Sequence, residues 1–161
     1  MKLALALVLS LTAAAATASP PSPACRAADA LDPATRFLDA YAAGDRTAVE
    51  AALAPEIVAY GSDSSEFERG RAEVMRIFDL DHRLWGGSAR FGPLRDVSAS
   101  GDCSHATVMF MRDFAVGDRP PVPVRFAMTW RKRGDAWRLL QTANAVPTTG
   151  QSAAELLGAS R

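Results

Sequence analysis

Metal-binding spacings are missing from this sequence. It holds two cysteines and two histidines, with no Cys-x-x-Cys and no His-Glu-x-x-His arrangement. It also lacks an excess of charge of either sign. Eighteen lysines and arginines balance eighteen aspartates and glutamates, so no general field draws the chain to nucleic acid or to acidic membranes. No apolar run reaches the roughly 20 residues that a transmembrane helix needs. Phosphate-cradling glycine loops and the Gly-x-Ser-x-Gly nucleophile elbow are absent as well. These absences set aside metal, nucleotide and triad chemistry and leave no cofactor implied.

What is present begins with a leader. Lys2 precedes an apolar stretch from Leu3 to Leu11, and Ala16-Thr17-Ala18 supplies small residues before Ser19. This predicts a signal peptide over residues 1–18, cleaved on export to the periplasm or the medium, with no stable membrane insertion afterwards. An uncleaved anchor is the alternative, and the apolar stretch is short for it. Residues 19–31 open with Ser-Pro-Pro-Ser-Pro-Ala and read as a Pro-rich linker. Residues 32–150 form the expected domain and 151–161 a C-terminal tail. In an oxidising compartment Cys25 and Cys103 can form one disulfide, or both can stay as thiols.

Within the domain, hydrophobic spacing separates helices from strands. Asp32-Pro33 reads as a helix start, and Ala34, Phe37, Leu38, Tyr41 and Ala42 fall on one stripe. Asp45 caps a short second helix with Val49, Ala52 and Leu53 inward, which Pro55 ends. A β-prone segment follows over 56–62, then a polar loop over 63–69, then a third helix from about Gly70 to Trp85, closed by Gly86-Gly87. After it the period changes to two. A weak strand over 90–98 is bent at Gly92-Pro93, and long strands are expected over 105–115, 122–132 and 137–146. Val122, Val124, Phe126, Met128 and Trp130 share a buried face, as do Ala106, Val108, Phe110 and Phe114, with Arg112 among them. Helices first and a meander of strands after them is an α+β order.

The chain resembles the nuclear transport factor 2-like superfamily, in particular its SnoaL-like branch. The resemblance rests on Tyr41-Ala-Ala-Gly-Asp45, Ala54-Pro-Glu-Ile-Val-Ala-Tyr-Gly61, Glu68-Arg-Gly-Arg-Ala-Glu-Val74 and Trp137-Arg-Leu-Leu-Gln-Thr-Ala-Asn-Ala-Val-Pro147. It implies a cone-shaped fold, three N-terminal helices packed on a curved antiparallel sheet, and frequent pairing of copies into homodimers. The superfamily includes isomerases, cyclases, dehydratases and scaffold proteins, so the fold alone selects no activity. The catalytic carboxylate of ketosteroid isomerases would fall near Gly61 or Ser62 and their first-helix tyrosine near Phe37, and neither position carries the group. Histidines that many relatives bear on the last strand are missing from Gln141 to Ala145.

Asp81 is the residue that fits its surroundings least. It sits mid-stripe among Val74, Ile77, Phe78, Leu84 and Trp85, where an unpaired carboxylate faces a steep desolvation cost. It is either a pocket carboxylate of raised pKa, able to act as a base or hold a ligand, or a structural partner of an arginine. Arg112 is the matching oddity: a partner for Asp81, an anion hook, or a strand-end residue already in solvent. Tyr60, Trp85 and Trp130 are candidate pocket walls, with core packing as the plainer role. His82 lies on the flank of the stripe and forms no implied dyad with Asp81. His105 follows a turn, and Asp63 reads as a pocket-mouth or turn residue. Thr107, Met109, Met111 and Ala127 offer an outer sheet face for a homodimer. Three functions remain in view: binding of a small, largely apolar molecule; a cofactor-independent lyase, isomerase or cyclase with Asp81 as general base; and a non-catalytic dimeric interaction module.

Overall fold

The computed structural model describes residues 26–147. The expected signal peptide, Cys25 and the expected C-terminal tail therefore lie outside the described residues. A 3-10 turn, Ala27–Ala30, leads directly into α1 (Leu31–Ala43), followed by α2 (Arg46–Ala52), β1 (Leu53–Tyr60), β2 (Phe67–Arg69) and α3 (Arg71–Trp85). The strands β3 (Ala89–Phe91), β4 (Arg95–Gly101), β5 (His105–Val116), β6 (Val122–Arg133) and β7 (Ala136–Ala145) complete the order.

The folded unit starts earlier than the linker reading places it. Ala30 is fully buried, and Asp29 accepts the Arg26 amide at 2.8 Å, so the chain is already turned before Asp32. Pro33 then falls inside the first turn of α1, where backbone amides have no helical partner to lose. Asp45 caps α2 by accepting the Ala48 amide at 3.0 Å. Pro55 does not end that helix. The chain has already become extended at Leu53, and both Leu53 and Ile57 are buried. Gly86 closes α3 in the left-handed region, at φ 57°.

The sheet is open, in the order β2-β1-β7-β6-β5-β3, with β4 on the same edge of β5 as β3. It is mixed, which corrects the antiparallel expectation: β1 runs parallel to β7. The β5-β6-β7 hairpins fix the direction of β7, and β2 occupies one edge of β1, so the free edge of β1 meets β7 in parallel. α3 follows β1 and β2, so only two of the three α-helices precede the strands. The expected polar loop over 63–69 contains β2, a strand too short for periodicity to reveal.

β3 and β4 are two halves of one interrupted strand. Phe91 pairs with Phe114 and Arg95 with Met111, and the register slips further before Ser98, where Asp96 takes φ 53°. Pro93 has no amide to give at the break. Arg112 fills the gap from β5: its Nε donates to the Gly92 carbonyl at 2.6 Å, Nη2 to Phe91 at 3.3 Å, and Nη1 to Asp39 of α1 at 2.8 Å. The guanidinium also lies 5.3 Å from the Phe91 ring centroid.

The inner sheet face supplies Ala106, Val108, Phe110, Phe126, Met128, Trp130 and Leu139 to the core, against Phe37, Leu38, Val49 and Phe78 from the helices. Trp130 is the largest fully buried side chain and meets Phe37 edge-on at 6.2 Å. Burial of each such side chain is worth about 1.5–3 kcal/mol. One strand irregularity decides which β7 residues face inward. Trp130 pairs with Leu139, but its neighbour Thr129 pairs with Gln141, so Leu140 is an extra residue in β7. Alternation resumes one position late, and Thr142 and Asn144 come to lie opposite Met128 and Phe126.

Candidate functional site

Helices and sheet part at one end of the core to leave a cavity of about 450 Å³. Its walls come from the middle of α1 (Phe37, Leu38, Tyr41) and from α3 (Val74, Ile77, Asp81, Trp85). The ends of β5, β6 and β7 add Phe114, Val122, Val124, Phe126, Met128, Thr142 and Asn144, with Phe91 from β3. The end of β1 and the segment after it add Ala59, Tyr60, Gly61, Ser62, Glu66 and Glu68. The apolar share is large and the polar groups few, which is how small-molecule sites are generally built.

Asp81 lines this cavity. Its partner is Tyr41, whose hydroxyl donates to Oδ2 at 2.9 Å. On α3, Val74, Ile77, Phe78, Asp81 and Trp85 face the core or the cavity as the spacing predicts, whereas Leu84 points to solvent at 70% exposure. Burial pushes the Asp81 carboxyl above the usual range, the Tyr41 hydrogen bond opposes that shift, and Glu66 adds to it. Tyr41 is held far above an ordinary phenol, first by burial and then by the Asp81 charge. The Tyr41 hydroxyl thus donates to Oδ2 of Asp81, with Oδ1 not engaged by Tyr41.

Two further carboxylates share the cavity. Glu68 is only 6% exposed and makes no hydrogen bond or ion pair among the described residues. Burial raises its pKa, followed by the neighbouring Glu66 charge, while Arg76 acts from a distance in the opposite sense. Glu66 folds back over Gly61 and accepts the Asp63 amide at 3.0 Å. A Cβ at Gly61 would lie 1.9 Å from the Glu66 Oε2, so glycine here makes room for the carboxylate. Among the described residues no lysine, arginine or histidine lines the cavity.

Other residues singled out in the sequence fall elsewhere. Arg112 is neither the partner of Asp81 nor an anion hook nor exposed: it is buried, bound to Asp39 and to two backbone carbonyls at the strand break. Trp130 packs in the core and is no part of the cavity wall, because the β6 face continues inward past the cavity's end. Trp85 lines the cavity, and Tyr60 lines it at the mouth, 56% exposed and stacked on Phe67 at 4.5 Å. His82 lies flat against Phe78 and over Gly44, away from the cavity lining. Asp63 is a turn residue that accepts the Ser65 amide and hydroxyl, contacts that lower its pKa. Cys103 is exposed on the turn between β4 and β5, and its suggested partner Cys25 lies outside the described residues. Among the described residues no helix is long and apolar enough to cross a membrane.

The sequence reading passed over Tyr41, Glu66, Glu68, Thr142 and Asn144. Tyr41 carried one signal, a hydroxyl in a buried stripe that requires a partner. Glu68 carried none.

The Glu68 environment gives a pH prediction. Its folded pKa is raised, so its contribution to stability is greatest below the unfolded value and is lost as pH rises through the folded value. Glu68→Gln removes that loss. The variant is expected to melt higher than the parent at pH 7, with the difference vanishing below about pH 4, where the parent's glutamate is protonated in both states. Thermal melts across pH 3.5–8 check this, and a gain independent of pH contradicts it.

The family described as SnoaL-like domain matches residues 32–149 of the chain. No curated protein matches it. Among solved structures, a nuclear transport factor 2-like protein of unknown function from Pseudomonas putida KT2440 is 16% identical, with a TM-score of 0.68 over 78% of this chain and 89% of that one. A protein provisionally named a dehydratase of the same superfamily, from Streptomyces avermitilis, is 19% identical, with a TM-score of 0.65 over 76% and 96%. A third, from Novosphingobium aromaticivorans, is 18% identical, with a TM-score of 0.62 over 78% and 84%. At these identities the likeness concerns the fold.

Proposed function

The chain belongs to the SnoaL-like domain family, within a superfamily whose fold serves many activities, and we propose that this member binds a small, largely apolar molecule in its conical pocket. The observation that carries the proposal is the cavity of about 450 Å³, apolar over most of its wall, with the Tyr41–Asp81 pair set into it. An apolar body fits the walls, and Asp81 gives one polar handle to orient it. The bound molecule is met outside the cytoplasm, in keeping with the leader sequence.

A second reading has an observation of its own. A carboxylate of raised pKa, oriented by a phenol, is equipped to abstract a proton from a bound carbon acid, as a cofactor-independent isomerase, lyase or cyclase requires. Asn144 and Thr142 on the facing strand are the groups available to receive developing negative charge on a substrate oxygen. The dehydratase name attached to the Streptomyces protein agrees with such chemistry without extending to this chain.

We also propose a homodimer through the outer sheet face, where Met109 is 54% exposed among Thr107, Met111 and Ala127. Native mass spectrometry of protein purified from its own host reads both proposals at once. The expected spectrum is that of a dimer carrying a small-molecule adduct lost on denaturation. A monomer counts against the sheet interface. Ligand-free protein that also binds nothing from a host metabolite extract counts against the pocket reading.

A further inference from the structure

We propose that the occupant of the pocket is an organic cation, an amine or quaternary ammonium group carried on an apolar body. This rests on the reading of the cavity as a binding site and narrows it to one ligand class. Three carboxylates enter the cavity wall, Glu66 and Glu68 from the segment after β1 and Asp81 from α3, and among the described residues no basic side chain joins them. Glu68 is the decisive one. It is 94% buried, faces the cavity, and has no hydrogen-bond or ion-pair partner among the described residues. Buried carboxylates are ordinarily paired, so an unpaired one directed into a cavity is complementary to a positive group that arrives with the ligand.

The rings that line the cavity favour the same occupant. Tyr41 lies 5.8 Å from Trp85, Trp85 5.0 Å from Phe114, and Phe114 5.1 Å from Phe91, measured between ring centroids. They form an unbroken aromatic arc along the wall, and the electron-rich faces of such rings attract ammonium groups. A metal ion is a poorer fit. Among the described residues no three acidic, histidine or cysteine side chains converge to hold one. An anionic ligand would meet three carboxylates and no counter-charge. Burial favours the neutral forms of Glu68 and Asp81, and a bound cation draws them back toward the charged ones.

The test compares three probes of one shape at pH 7 by titration calorimetry and Trp85 fluorescence. They are benzyltrimethylammonium, its uncharged carbon isostere neopentylbenzene, and the anion benzylsulfonate. The cation is expected to bind at least about tenfold tighter than the hydrocarbon, and the anion more weakly than both. Glu68→Gln is expected to bring cation and hydrocarbon within about threefold of each other, chiefly by loss of cation affinity. Asp81→Asn serves as the second variant, with the same readout. Equal or tighter binding of the hydrocarbon, or a preference untouched in both variants, overturns the cation proposal and leaves the pocket reading standing. Failure of all three probes to bind overturns both.

Discussion

Arg112→Ala is expected to lower the unfolding free energy by about 3 kcal/mol, enough to reduce the melting temperature by roughly 10 °C in a domain of this size. The guanidinium is 7% exposed and satisfies the Gly92 and Phe91 carbonyls where the β3–β4 strand breaks. Alanine leaves both acceptors at the break without their donor. The ion pair itself contributes little of this, since the Asp39 side chain is 55% exposed and well hydrated. Asp39→Ala should accordingly cost less than about 1 kcal/mol. Chemical denaturation of both variants separates the two contributions. Equal losses would show that the charge pair, and not the capped carbonyls, stabilises this corner.

Asp81→Leu should leave the melting temperature unchanged or raise it while weakening binding of the pocket's occupant by about tenfold to a hundredfold. Leucine replaces a carboxylate whose burial is costly at neutral pH, and the Tyr41 hydroxyl it abandons can bond to water in the cavity. Asp81→Asn keeps an acceptor for Tyr41 but loses the charge. If binding depends on charge, the two variants lose affinity together. If it depends on the position of Tyr41, asparagine retains most of it. A fall of several degrees in either variant would mean that Asp81 serves mainly to hold α1 against α3, and the binding role would be withdrawn.

The architecture was legible where periodicity runs long enough to be read. In the stripe of α1, Ala34, Phe37, Leu38 and Ala42 are buried and Tyr41 half-buried, and the alternation from Val124 to Trp130 coincides with the buried positions of β6. Asp81 could be singled out because a carboxylate in an apolar stripe contradicts its surroundings. Its partner could not, because forty residues separate Tyr41 from Asp81 and only the packing of α1 on α3 joins them. Arg112 stands out for the same reason as Asp81, but its acceptors arise from a strand break whose carbonyls no side-chain pattern records. Glu68 was illegible because β2 has three residues, Phe-Glu-Arg, and too few turns of the pleat to say which face is inward. The parallel pairing of β1 with β7 joins the two ends of the domain and leaves no local mark.

The extra residue at Leu140 makes β7 two addresses on one strand. Before it, Leu139 answers to Trp130 and the packed interior; after it, Thr142 and Asn144 answer to whatever enters the cavity. Substitutions in the second stretch can therefore change the ligand without passing through the part of the strand on which folding depends. Were Leu140 instead paired opposite Thr129 in a regular ladder, the two would fuse, turning Gln141 and Ala143 inward and Thr142 and Asn144 out. A lineage that kept this insertion would be free to diversify its chemistry at these two positions while its fold stayed constant, with each new specificity only a point mutation away.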